Sequence, residues 1–202
     1  MIVKISEDSE PVGRIFYSRD TLEVAKDILG LILVRKTSEG CLMGRIVETE
    51  AYRGSDDPAS HAFRGMTKRN EIMFGKPGCA YVYFTYGAHY CLNVVTERTG
   101  MAAAVLIRAL EPLSGLEIMM KNRGVYDACK LTNGPGKLTK ALQIGREHNG
   151  VDLTTSSSSL IVVKPLEFER FQITRTTRIG VKVATDRLWR FYIQNSMYIS
   201  KK

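Results

Sequence analysis

The strongest constraint on the fold is a set of β-rich runs separated by connections too short to carry a crossover helix. "LILVRKT" (31–37) is followed after "SEGC" by "LMGRIVETEAY" (42–52), and "CAYVYFTYGAHYCLNVVTE" (79–97) is two such runs around "YGAH". Strands joined by a few residues must run antiparallel, because a parallel pair needs a crossover of a dozen or more residues. "AAAVLIRALEP" (102–112) is a further strand, continuously apolar and therefore expected to be covered on both faces, with Pro112 closing it. "SSSSLIVVKP", "RIGV" and "RFYIQNSMYIS" complete the strand set towards the C-terminus.

Helices are fewer. "DTLEVAKDIL" (20–29) places Leu22, Ala25, Ile28 and Leu29 on one face, with Ser18 or Asp20 as N-cap and Gly30 as the stop. "LSGLEIMMKNRG" and "GPGKLTKALQI" also show helical spacing. Strands and helices do not alternate and no repeat is present. The expectation is an α+β fold: one domain over residues 1–202, its core spanning about 14–200. It consists of a curved, mostly antiparallel mixed sheet flanked by helices, with a protruding β-hairpin. Residues 54–76 are polar and irregular, a length of loop that in a compact domain is usually functional or disordered.

Composition narrows the function classes. No run approaches the roughly 18 apolar residues of a membrane span, and the N-terminus has no apolar signal-like core, so a cytoplasmic protein is expected. Cys41, Cys79, Cys91 and Cys129 lack zinc-site spacing, and His61, His89 and His148 form no helical pair, so no metal is expected. The cysteines read as small buried thiols. Twenty-nine Lys and Arg against 21 Asp and Glu give a net charge of +8, the electrostatic footprint of a nucleic-acid binder.

Several residues break the apolar pattern. In "GRIVETEAYRG", Glu48, Glu50 and Tyr52 share one strand face with Ile46. That face is either solvent-directed, as unpaired carboxylates usually are, or the wall of a pocket where a carboxylate activates water beside an aromatic platform. Arg108 interrupts "VLIRALEP" and requires an anionic partner, for which Glu48, Glu50 and Glu111 are candidates. Asn93 interrupts "YCLNVV" and its amide needs a specific partner. Tyr86 falls at the hairpin tip, where packing explains an aromatic poorly and a wedge between bases explains it well. Tyr81 and Tyr83 share a face that is either a base-stacking surface or a cross-strand aromatic ladder. "NGPGKL" sets Lys137 beside a helix start that could cradle a phosphate or merely cap the helix.

Taken together, "GRIVETEAYRG", "KPGCAYVYFTYGAHYCLNVV", "VLIRALEPLSG" and "NGPGKLTKALQI" resemble, in order and spacing, the alkyladenine (3-methyladenine) DNA glycosylase family from about Arg14 to Ser200. The resemblance implies flipping of a damaged purine from duplex DNA, and hydrolysis of its N-glycosidic bond without strand cleavage or cofactor. It implies Glu50 as the general base for water and Arg108 as the residue that helps hold that water. Tyr52, His61 and Tyr83 would contact the flipped base, Asn93 would crowd the exocyclic amine of guanine, and Tyr86 would intercalate. Arg69 and Lys137 are candidate phosphate contacts, and a monomer acting on damaged duplex DNA is expected. Lys68 stands where relatives often carry proline, and Ala88–His89 replaces a bulkier pair of the mammalian members. The competing reading is a non-catalytic basic nucleic-acid-binding domain, which leaves Glu50 and Arg108 without a task.

Overall fold

The computed structural model describes residues 10–85, 87–167 and 169–201. Its centre is β2 (Gly40–Tyr52), a strand long enough to take two neighbours in succession along one edge. There it pairs with β1 (Ile32–Thr37) through residues 40–45 and with β8 (Arg190–Ile193) through residues 48–50. Its other edge is occupied by β5 (Ala104–Ser114). The hairpin β3 (Ala80–Thr85) and β4 (His89–Val95) extends the sheet beyond β5, and β6 (Leu160–Val163) closes the far side against β1. β7 (Ile173–Thr176) pairs with β8, making an eight-stranded, curled sheet in an α+β domain. Every strand pairing among the described residues is antiparallel, so the parallel component allowed by a mixed sheet is not found.

The helices pack where the sheet needs a lid. A one-turn α1 (Arg14–Tyr17) leads into α2 (Thr21–Asp27). The Asp20 side chain caps α2 by accepting from the Leu22 and Glu23 amides, satisfying two otherwise orphaned donors. Val24 and Ala25 of α2 and Ile28, which caps its C-terminus, join the main core with Leu33, Leu42, Ile46 and Leu110. α3 (Leu116–Arg123) and α4 (Pro135–Ala141) pack together, and α4 lies on β4 and β5. Pro135 opens α4 at a position whose N–H would be unsatisfied anyway.

Two expected boundaries move. β5 runs through Pro112 to Ser114, because β4 pairs only with residues 104–106. At Pro112 the strand has one neighbour, β2, so a missing N–H is tolerated. "RIGV" (178–181) is not a strand; the preceding "ITRT" pairs instead, and 178–181 is irregular backbone. Of the cysteines, only Cys91 is buried, the other three being half-buried. No helix among the described residues is long and apolar enough to cross a membrane.

Candidate active site

The carboxylates of β2 are the centre of a buried charge cluster. Val47 to Ala51 are buried on both faces, so neither Glu48 nor Glu50 meets solvent and the solvent-face alternative is excluded. On the back, the Thr49 hydroxyl donates to the Ala25 carbonyl of α2 at 2.6 Å. On the front, Arg108 reaches both carboxylates, its Nε 3.2 Å from Glu48 Oε1 and its Nη1 3.2 Å from Glu50 Oε2. The β2–β5 register makes this possible: it skips Val47 on one strand and Arg108 on the other, a local irregularity of the kind that re-aims side chains. Glu111, the third candidate partner, pairs with Arg45 instead.

The two carboxylates have different surroundings. Glu48 accepts from Arg190 Nε at 2.7 Å and from the Ser200 backbone and hydroxyl at 2.6 and 2.8 Å, tying β2 to the last residues of the chain. Glu50 accepts from the Tyr52 hydroxyl at 2.7 Å and from the Ile179 amide at 2.7 Å, in addition to Arg108. A carboxylate offers about four lone-pair sites, so among the described residues Glu50 keeps one free. Burial pulls the Arg108 guanidinium down, but the charges of Glu50 and then Glu48 outweigh it and hold the group above its usual range. Burial and the Glu50 charge raise Tyr52 well above the ordinary phenol, so it remains a donor.

Beside this cluster opens a cleft of about 460 Å³, lined by Tyr52, His61, Tyr81, Tyr83, Asn93 and Arg108 among others. Glu50 lies just behind Tyr52, Arg108 and Ile179, all three of which line it. The Tyr81 hydroxyl is 2.9 Å from His61 Nδ1, and the His61 and Tyr83 rings meet edge-on at 4.5 Å. Tyr81 and Tyr83 pack 5.3 Å apart along β3, and their cross-strand partners are Asn93 and Cys91, so they form a cleft wall and not a cross-strand aromatic ladder. Burial, then the Arg69 charge, lowers the His61 pKa, which leaves the imidazole neutral at pH 7. Burial pushes the Tyr81 phenol up to about 12. Asn93 spends an amide hydrogen on the Tyr81 carbonyl at 3.0 Å, which fixes its orientation in the wall.

Arg69 lies over the Tyr83 ring at 5.4 Å and donates to the Phe84 carbonyl, so it caps the aromatic wall as well as facing solvent. Lys137 is exposed and donates to Asn133 one turn back. Gly136, beside Lys137, lets His89 approach closely: a Cβ there would sit 2.8 Å from the His89 ring. Tyr86 lies outside the described residues.

Sequence reasoning missed the opposite wall, formed by Ile179, Gly180, Val181, Lys182 and Val183, and the residue that anchors it. Arg178 makes a two-pronged pair with Asp57 at 2.6 and 2.8 Å, both side chains fully buried. Asp57 also accepts from the Arg53 and Ala59 amides, and Asn70 ties the His61 and Gly65 carbonyls together. These bonds order the long 54–76 loop. The only sequence signals for the ion pair were an Asp in the irregular loop and an Arg opening "RIGV", a run that reads as a strand.

A buried Glu–Arg–Tyr cluster thus lies behind an aromatic cleft on a strongly basic chain. Residues 15–197 match the family model for methylpurine-DNA glycosylase. The chain is 53% identical over 189 residues to a protein of Carboxydothermus hydrogenoformans named "Putative 3-methyladenine DNA glycosylase", covering 94% of this chain and 98% of the relative. A protein of the same name from Chlorobium phaeobacteroides is 47% identical, with 96% of each chain covered. One from Prosthecochloris aestuarii is 50% identical, covering 94% of this chain and 91% of its own. The chain belongs to the methylpurine-DNA glycosylase family, and is thus a DNA N-glycosylase, a hydrolase of the bond between base and sugar.

Proposed function

We propose that the protein binds duplex DNA as a monomer, turns an alkylated purine such as 3-methyladenine into the cleft, and releases it by attack of a water held at Glu50. The observation that carries this reading is the hydrogen bonding of Glu50. Three donors fix its carboxylate just behind the cleft wall, and among the described residues one lone-pair site is left for a water. The water's oxygen forms the new bond to the sugar C1′ and its proton passes to Glu50, while Arg108 stays charged beside both. The glycosidic electron pair returns to the purine and cancels its positive charge, so a cationic lesion leaves without an added proton. Tyr52, His61 and Tyr83 supply the rings on which such a base stacks, a contact favoured by its charge. Asn93 is the group that excludes the guanine amine. Tyr86, assigned from its place at the hairpin tip, fills the gap left in the duplex. Arg69 and Lys137 contribute phosphate contacts at the rim. A neutral lesion such as hypoxanthine needs a leaving-group donor in addition.

The test is to incubate the protein with duplexes containing one alkylated or deaminated purine, and to assay both free base and strand breaks. The expected outcome is free base and an abasic site that breaks only after alkali, with duplex affinity that falls steeply as salt rises. Binding without release of any lesion in a broad panel would leave a non-catalytic DNA-binding domain.

A further inference from the structure

Arg178 and Asp57 are absent from the cleft lining, yet they sit directly behind it. The Arg178 guanidinium lies 4.7 Å from the centre of the Tyr52 ring and 5.2 Å from that of Trp189, and its Nη1 donates to the Ala51 carbonyl. Since Tyr52 lines the cleft and Arg178 does not, the cation occupies the side of the ring turned away from the cleft. Asp57 covers the guanidinium edge with both oxygens, and neither side chain reaches solvent.

An aromatic ring has a single π system. A cation on one side draws its electron density that way and repels a second cation on the other, and burial removes the water that would screen the effect. The carboxylate of Asp57 opposes the repulsion. We propose that the Arg178–Asp57 pair is a specificity-determining device that sets, through Tyr52, the balance between cationic and neutral purines. Arg178 holds down the advantage of a positively charged base, and Asp57 restores part of it. The inference rests on the reading that the flipped base stacks on Tyr52.

Opposite changes to the pair therefore move selectivity in opposite directions. Asp57→Asn leaves the guanidinium uncompensated and disfavours cationic bases. Arg178→Met with Asp57→Leu removes both charges without leaving one buried alone, and favours them. The readout is the ratio of single-turnover rate constants for release of 3-methyladenine from dimethyl sulfate-treated duplex and of hypoxanthine from a defined duplex. The ratio is expected to fall about 3-fold or more in the first variant and to rise about 3-fold or more in the second. Should wild type leave hypoxanthine in place, the ratio is read from equilibrium affinities for the two duplexes, all in a Glu50→Gln background. Should Asp57→Asn fail to fold, the double variant decides by its sign.

A purely structural pair would slow both reactions in parallel; a ratio unchanged in the folded variants overturns the inference. Tyr52→Leu separates the two ways of failing. If it also leaves the ratio unchanged, the stacking reading itself is wrong. If it alone shifts the ratio, only the role of the pair falls.

Discussion

Replacing Glu48 by Gln removes one charge from a fully buried quartet in which Glu48 and Glu50 balance Arg108 and Arg190. All four hydrogen bonds that Glu48 accepts come from N–H or O–H donors: Arg108, Arg190, the Ser200 hydroxyl and the Ser200 amide. An amide nitrogen in place of either oxygen would face a donor with a donor. Breaking a buried pair from one side costs about 3–5 kcal/mol, a large share of the roughly 5–15 kcal/mol that holds a domain folded. At about 2–4 °C per kcal/mol for a chain of this size, the melting temperature should fall by about 6–20 °C. Urea unfolding gives the free energy, and a double-mutant cycle with Arg190→Met gives the coupling. The double variant should recover at least about 1 kcal/mol relative to additivity, because it removes one charge of each sign. A loss below about 1 kcal/mol, or strict additivity, would refute the view that this quartet holds β2 to the C-terminal segment.

Two further outcomes follow from the same geometry. Gly54→Ala would place a Cβ 2.6 Å from the Ala102 carbonyl oxygen where β2 enters the long loop, so it should cost about 1–3 kcal/mol by chemical denaturation. His61 has its folded pKa lowered by burial and by Arg69, so it is neutral above that value and charged below it. Affinity for a duplex with a cationic lesion should therefore fall as pH drops below about 6.5 and through this lowered value. His61→Gln should flatten that pH profile, measured by competition binding at fixed ionic strength.

Much of the architecture was readable because it is local. The hairpin, β1, β2, α2 and its Asp20 cap all follow from alternation, helical spacing and turn residues within a few positions. Arg108 was also legible: a guanidinium in an apolar strand demands a carboxylate, and the two it finds are Glu48 and Glu50. The environment of those carboxylates was not. Strand alternation assigns β2 two faces but cannot tell that α2 covers one and the C-terminal segment the other. Arg178 and Ile179 were misread as part of a strand, since "RIGV" has strand-like composition. Their partners, Asp57 and Glu50, lie more than a hundred residues away in sequence, beyond the reach of any periodicity. The candidate phosphate contacts were found from charge and, for Lys137, from its place beside a helix start; the contacts of Arg69 with Tyr83 and of Lys137 with Asn133 depend on packing that neither signal encodes.

In the proposed reaction the site left open on the Glu50 carboxylate among the described residues takes the proton of the attacking water. Glu50→Gln nearly preserves shape and can still accept from Tyr52 or Ile179, but it cannot take that proton. The decisive measurement is single-turnover release of 3-methyladenine by wild type and Glu50→Gln, alongside their affinities for the same duplex. Release should fall by at least about 100-fold, the usual contribution of a general base, with duplex affinity retained. Release within a few-fold of wild type by a folded Glu50→Gln protein would contradict the assignment.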